Sequence, residues 1–518
     1  MSYIYLAHVK CWNPVTASEV TLYLSSQGFV TGTANLPPGG AAHTCYNSRI
    51  KQPAIIRRSC WKDKTNGGQS EVSYGAVVNV NIDGGLDYLM PYGFHGREIT
   101  LIRGEVREDT APVPIWDIVF QGKMARPYIG RTTFNLHLRD RQGDLSKPLC
   151  SSVYAGTNVG DVGLEGGEEI AGQHKPRIFG RPKNIPAICA NKVKRIYQVN
   201  DGALLSISDV KDRGKSLTKA ADYANLADML ANAPLDGSYR AWPGGGYFRL
   251  GADPVGLVTC TATQGTAAGD RTCAKVINAI LTGSGGVLPA NISTADLNAL
   301  DAVQSCELGL HFQDNISCGD AIDRVCKSAG AWWNFDRVDM FRIKRFNAPT
   351  GVAVLSLTDI EIVDIEPVNL EWCDVPVWTS TIKYGLNVVV QKTDIADGVD
   401  IDTRIALAQE YLQKVTSNAA IKTAYPLAGE LVFETDFVAG AITTENTRRF
   451  NLYNVQRYGY KVVVRLTQSQ FALIGLGAEI NIKINRFQLD AGKNFIVIGS
   501  EEDHSQGQFI RVELTLFG

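Results

Sequence analysis

Long apolar runs are missing from this sequence: no stretch approaches the roughly 18 uncharged apolar residues that a membrane helix requires. The opening residues Met1-Ser2-Tyr3-Ile4-Tyr5-Leu6-Ala7-His8-Val9-Lys10 lack the charged start and apolar core of a secretory leader. A soluble chain made in a cytoplasm is the expectation. An excess of one charge is also absent. Fifty-one Lys and Arg stand against 53 Asp and Glu, a net charge of -2, whereas a dedicated nucleic-acid binder would carry a strongly basic domain. Cysteine pairs are missing. The 11 Cys are an odd number, scattered singly with no C-x-x-C, and read as reduced, buried small hydrophobes. Methionine is scarce, with 5 residues beside 50 Gly, 20 Pro and 19 Tyr; that balance leans towards turns and strands. The hydrophobic content of 45% is ample for buried cores, and 518 residues suffice for roughly two to four domains.

Signatures of chemistry are missing too. Gly214-Lys215-Ser216 has the ending of a phosphate loop, but Asp209 stands where the motif needs its first Gly, so the backbone cradle is absent. A loop feeding a helix cap is the expected role. Cys306, Cys318 and Cys326, with His311 nearby, are spaced by 12 and 8 residues, which matches no common zinc or cluster pattern; packing explains them. The 7 His form no H-E-x-x-H, there is no G-x-S-x-G elbow, and no segment stands out as an inserted catalytic domain. No catalytic, cofactor-binding or metal-ligating residues are therefore assigned, no cofactor is implied, and the chain is not read as an enzyme. Arg49, Lys51, Arg57, Arg58, Lys62 and Lys64, with Trp61 among them, form a basic run. A solvated face is preferred there over a DNA-facing or partner-facing loop. Trp332 and Trp333 read as hairpin core and rim rather than as a sugar platform.

What is present is mostly strand. Val20–Ser25, Glu71–Val80, Ile99–Val106, Trp116–Gly122 and Phe134–Arg141 alternate or run apolar between turn signals, the pattern of a β-sandwich or barrel. Residues 151–175 are Gly-rich and acidic, a loop or linker. Ser216 is a plausible N-cap for a helix over about 218–233. Helices are expected over Thr272–Leu281 and Thr294–Leu300. Ser317 caps a helix that Gly330 ends, and the hairpin Ala331–Phe346 follows, with a connection at Asp336–Asp339. Beyond 350, strands return, at Leu355–Leu357, Ile360–Ile365, Tyr460–Leu466, Glu479–Ile484, Phe495–Gly499 and Ile510–Leu516, with a helix over about 403–417. The fold class is mainly β with α+β insertions. The expected division is 1–150, an N-terminal β tube-like domain; 151–255, linker, Pro-braced arm, hairpin and helix; 256–350, a small α/β domain; and 351–518, a C-terminal β-barrel-type domain.

The middle of the chain carries its most distinctive stretch. Lys175-Pro176-Arg177-Ile178-Phe179-Gly180-Arg181-Pro182-Lys183-Asn184-Ile185-Pro186 holds three prolines within eleven residues, which forbids a helix. Gly180 sits where only glycine fits easily. Asn200-Asp201-Gly202 signals a hairpin between strands around Tyr197 and Ile207. The pattern K-P-x-x-x-G-x-P-x-N-I-P, then Y-Q-V-x-D-G, then V-x-D-x-G, resembles bacteriophage tail-tip proteins, the baseplate hub of long non-contractile tails. Gly246–Gly256 and the phrases at Phe120–Lys123, Leu136–Arg141 and Leu473–Ile482 fit the same group. The resemblance implies a structural virion protein of the tail tip, synthesised in the host cytoplasm. It would continue the tail tube, form a channel for phage DNA and anchor a central fibre or receptor-binding proteins. Three copies are implied, each giving two tube-like domains. The implied partners are the tail tube or distal tail protein and the tape measure protein, with no stable membrane insertion. Some hub relatives carry an iron–sulfur cluster on C-terminal cysteines; this chain has no cysteine after Cys373. A six-copy distal tail ring, or a receptor- or carbohydrate-binding β-protein, are the alternatives.

Overall fold

The computed structural model describes residues 2–60, 67–106, 115–139, 141–370, 375–504 and 510–518. Strands dominate, as the alternating pattern requires, and among the described residues no helix is long and apolar enough to cross a membrane. The N-terminal sheet runs Phe29–Val30, Cys45–Ser48, Ser18–Ser25, Ser2–Asn13, Glu98–Val106, Ile115–Met124, Thr133–Arg139, Ala76–Val80 and Ile50–Gln52, with Tyr128–Ile129 added on Thr133–Arg139. Among the described residues no ladder closes it into a barrel. Instead one short segment touches both of its edges. Cys45–Ser48 pairs in parallel with Ser18–Ser25, and Ile50–Gln52 pairs antiparallel with Ala76–Val80. Between them the Arg49 amide donates to the Ser25 carbonyl at 2.9 Å, and the Arg49 carbonyl accepts from Val80 at 2.7 Å.

The C-terminal sheet repeats the device. Its order is Leu355–Thr358, Glu479–Lys483, Lys493–Asp503, Ile510–Phe517, Gly459–Leu466 and Ile362–Val368. Leu355–Thr358 pairs in parallel at one edge and Ile362–Val368 antiparallel at the other. An uncovered edge presents free amide and carbonyl groups to any passing strand; in both sheets the chain covers its own.

The two sheets come from opposite ends of the sequence but share one core. Val9, Leu101, Phe120 and Leu136 pack in a single cluster with Val462, Ile480, Val497 and Leu514. The outer face of the N-terminal sheet is covered separately by Ile4, Leu6, Tyr46 and Ile102, with Phe29 and Trp116 against them.

Between the sheets in sequence lie two further bodies. Tyr197, Val210, Phe248 and Cys260 pack between a four-stranded and a five-stranded sheet. Helices Cys273–Thr282, Thr294–Val303 and Cys318–Ala329 pack with the hairpin Ala331–Phe335/Phe341–Arg345 in the largest core. Ser317 caps the third helix by accepting from the Asp320 amide at 3.0 Å, and Gly330 ends it at φ 63°, as the sequence requires.

Three expectations need correction. Asn200-Asp201-Gly202 does not join a hairpin: Ile196–Gln198 and Ser206–Asp212 belong to different sheets. Asn200 instead accepts from the Ile178 amide at 2.9 Å, and the Asp201 amide donates to the Pro176 carbonyl at 2.6 Å, so the turn docks on the arm. The helix expected over 218–233 is confined to Leu226–Ala231, capped by Asn225 rather than Ser216; Thr218–Lys219 is a strand held by Ser238–Trp242. The helix expected over 403–417 ends at Ala408, because Leu412–Ser417 pairs along its length with Thr379–Tyr384.

Candidate functional site: the seam between the two sheets

The alternating stretch 71–80 reads as one strand, but it is two. Gly75, at φ 58°, breaks it, and a Cβ there would stand 2.9 Å from the Ile55 carbonyl oxygen. Ala76–Val80 stays in the N-terminal sheet. Glu71–Ser73 crosses with Ile55–Ser59 into the C-terminal sheet, where Ile55–Ser59 pairs with Gly499–Asp503. Residues 50–59 and 71–80 thus form one bent clasp whose base lies in the first sheet and whose outer half lies in the second.

This register decides the fate of the basic run. Arg57 grips Glu501 bidentately at 2.8 and 3.1 Å on the surface. Arg58, with its side chain only 10% exposed, hydrogen-bonds Glu502, so the solvated face does not describe it, whereas Arg57 does lie on such a face. Arg49 pairs with Asp83 at 2.6 Å and Lys51 is exposed, while Trp61, Lys62 and Lys64 lie outside the described residues. Deeper in the seam, the fully buried Arg103 reaches Asp117 at 3.0 Å, and its guanidinium sits over Tyr3 and Phe471 at 5.2 and 5.4 Å. His504, at 0% side-chain exposure, lies 3.4 Å from Glu502. Burial, and then the charges of Arg103, Arg337 and Arg58, hold its imidazole well below the usual range, so it is neutral. No single element contains this network, and the sequence offers no local signal for it.

A second polar junction holds the α/β body together. Glu445, on helix Ile442–Tyr453, receives Arg448 at 2.8 Å and Arg449 at 2.7 Å, and also Arg345 from the hairpin. Burial pushes the carboxyl up, but the Arg448 hydrogen bond and the three positive charges overcome it and hold it at about 2. Arg449 also donates to the carbonyls of Lys327 and Ser328 at 3.3 and 2.5 Å, a cation at the C-terminal end of Cys318–Ala329 where the helix dipole favours it.

The candidate chemical residues are dispersed. Cys306, Cys318 and Cys326 are all buried in the largest core. Burial raises the Cys306 thiol to about 11 and pushes Cys318 and Cys326 up as well, so none is a ready thiolate ligand. Burial lowers His311 to about 4. Among the described residues no three His, Cys, Asp or Glu gather as a metal site. Lys215–Ser216 turns back on Lys211–Asp212 through Arg213 and Gly214, both at positive φ (50° and 77°), a two-residue hairpin rather than a lead into a helix cap. Trp333 is fully buried, stacks on Phe341 and donates to Asp323 at 2.6 Å; Trp332 is 3% exposed. A groove of about 890 Å³ opens on the N-terminal sheet between Trp12, Met90, Tyr92, Arg97, Arg126 and Tyr128, and no sequence motif marks it.

No protein-family model matches the chain, and no curated protein matches it. The solved structures it is similar to are phage and prophage tail proteins and their relatives. A tail protein from Neisseria meningitidis MC58 has TM-score 0.43 at 8% identity, covering 100% of this chain and 97% of that one. The 43 kDa tail protein of prophage MuSo2 from Shewanella oneidensis has TM-score 0.41 at 10% identity, covering 92% and 96%. A chain of a native gene transfer agent virion has TM-score 0.40 at 12% identity, covering 67% and 84%.

Proposed function

We propose that this chain is a structural component of a phage tail tip, a baseplate hub that continues the tail tube, encloses a passage for DNA and anchors the central fibre or receptor-binding proteins. The reading rests on one observation above others. Two sheets of like construction, each wrapped at both edges by its own segment, are fused side by side through a shared core and a common clasp. A subunit carrying two rigid, edge-protected sheets suits a wall: three copies present six sheet units to a six-fold tube, and closed rotational symmetry leaves no unsatisfied interface. The sequence pattern of the Pro-braced arm supports the same reading. The near-zero net charge suits a lumen that must not retain DNA. On this reading the chain acts by assembly and not by catalysis, in the virion, next to the tail tube or distal tail protein and the tape measure protein. Purified particles test it. Mass spectrometry is expected to find the chain in complete tails, and averaged images are expected to show it as a ring of three copies around an opening at the tail end. Six copies would favour the distal ring instead, and absence from particles with complete tails would sink the proposal.

A further inference from the structure

Residues 151–175 read as a linker, yet part of this segment is pinned like a binding loop. Val159 and Val162 face each other across a bridge closed by the Val162 amide on the Val159 carbonyl at 3.1 Å. Asn158 donates to the Ala190 carbonyl at 2.6 Å and accepts from the Glu165 amide at 2.8 Å. Asn191 donates to the carbonyls of Asp161 and Gly163 at 3.1 and 2.8 Å, and Lys194 pairs with Asp161 at 2.8 Å. A flexible spacer needs none of these bonds. The tip they hold still presents Val159 and Val162 to water at 80% and 70% exposure. Beside it Glu168 and Glu169 are exposed, with no ion-pair partner among the described residues.

The groove on the N-terminal sheet has the opposite character. Its floor and rim are apolar, with Met90 72%, Tyr128 61% and Trp12 39% exposed. Its lining contains Arg97, already paired with Glu19, together with Arg126 and His95, and no carboxylate. Arg126 is exposed and unpaired among the described residues. One wall is fixed by reciprocal backbone bonds between Trp12 and Gly93 at 2.8 and 3.0 Å, and the Arg97 guanidinium lies over the Trp12 ring at 5.3 Å. Aromatic, Met and Arg side chains around a preformed hollow are the usual composition of an interface centre.

We infer that the groove receives the Val159–Val162 tip of a second copy of this chain, the valines entering between Trp12, Met90 and Tyr128 while Glu168 and Glu169 face Arg126. Polarity and charge complement, and no hydrogen bond or ion pair joins the two surfaces within one chain among the described residues. Tip and groove are different patches, so the contact is head-to-tail, the kind that closes into a ring when the rotation permits. This deepens the ring reading above and rests on it for the identity of the partner.

The test uses two full-length variants, Met90→Cys and Val162→Cys, each with Cys45→Ser to remove the exposed native thiol. Mixed and mildly oxidised, they are expected to give a disulfide dimer that peptide mass spectrometry assigns to positions 90 and 162, well above either variant alone. Arg126→Glu in the first variant should lower the yield severalfold, and Glu168→Arg in the second should restore it. No 90–162 linkage, or a yield indifferent to Arg126→Glu, overturns the contact. Wild-type rings without that linkage would leave the ring reading standing and this surface wrong. The linkage in open dimers, with no ring on any particle, would support the contact and count against the ring.

Discussion

A Cβ on Gly180 would lie 2.0 Å from the Leu308 carbonyl oxygen, at a backbone φ of 72°. Two costs therefore add for Gly180→Val: about 1–3 kcal/mol for a β-branched residue in the left-handed region and about 1–3 kcal/mol for forcing the neighbouring strand aside. Denaturant unfolding is expected to show a loss of about 2–6 kcal/mol. Gly172 is the control: φ is 79° there, but no atom lies within 4 Å of its added Cβ, so Gly172→Ala should cost about 1 kcal/mol. Equal losses at the two sites would mean that close approach is not what Gly180 supplies. The turn at this glycine was legible between Phe179 and Pro182, but the close approach of the Leu308 carbonyl was not. Arg58 was not legible: its partner Glu502 lies 444 residues away, and nothing beside either residue announces the other. Asn200 misled for a related reason. Its turn chemistry is real, but Asn200 reaches back to Ile178 and Asp201 to Pro176 instead of joining two strands.

At the scale of elements, helix Ile442–Tyr453 is held through Glu445 by three arginines from its own surface and the facing hairpin. Glu445→Ala would leave those cations in a junction where Glu445 is 3% exposed, and stranding buried charge typically costs about 3–5 kcal/mol. Loss of less than about 1 kcal/mol in equilibrium unfolding would show that the carbonyl acceptors suffice alone. The two titrating groups argued above act in the same direction on acidification. His504 stays unprotonated in the fold and takes a proton near 6.5 when unfolded, so the unfolded state binds more protons below that pH. Stability should then fall by about 1.4 kcal/mol per pH unit for this group. The Glu445 carboxylate, held at about 2 against an ordinary 4.5, adds its own loss between those values. Urea midpoints measured from pH 7 to 5 are expected to fall in the native chain and to flatten in His504→Gln; identical slopes would remove His504 from the account. Helices and strands differed in legibility for a physical reason. Cys318–Ala329 carries its own cap and stop and was readable from them, as was the hairpin after it. The stretches 218–233 and 403–417 have apolar residues at helical spacing too, but Ser238–Trp242 and Thr379–Tyr384 capture one end of each as strand, and pairing with a distant strand outweighs weak local propensity.

For the whole molecule the decisive feature is that the first and last β regions share one buried core and a crossing strand. Alternation made the strands of both regions visible in the sequence, but their union depends on Gly75 and on the crossing of Ile55–Ser59, which no periodicity reveals. If the clasp fuses the sheets, weakening it should loosen both. Ile56 is fully buried in the core common to the two sheets. Ile56→Ala removes packing at the point of crossing and should cost about 2–5 kcal/mol. In a single cooperative unit, amides that exchange only through global opening must all accelerate by the same factor, set by that loss. Hydrogen exchange is therefore expected to rise equally in Glu98–Val106, central in the N-terminal sheet, and in Gly459–Leu466, in the C-terminal sheet. Acceleration confined to Gly499–Asp503 and its neighbours would show two separate domains that merely share a strand. On the proposed ring reading, a subunit with independently opening sheets would flex between two wall positions, whereas one that opens only as a whole would hold them at the fixed angle that a closed ring requires.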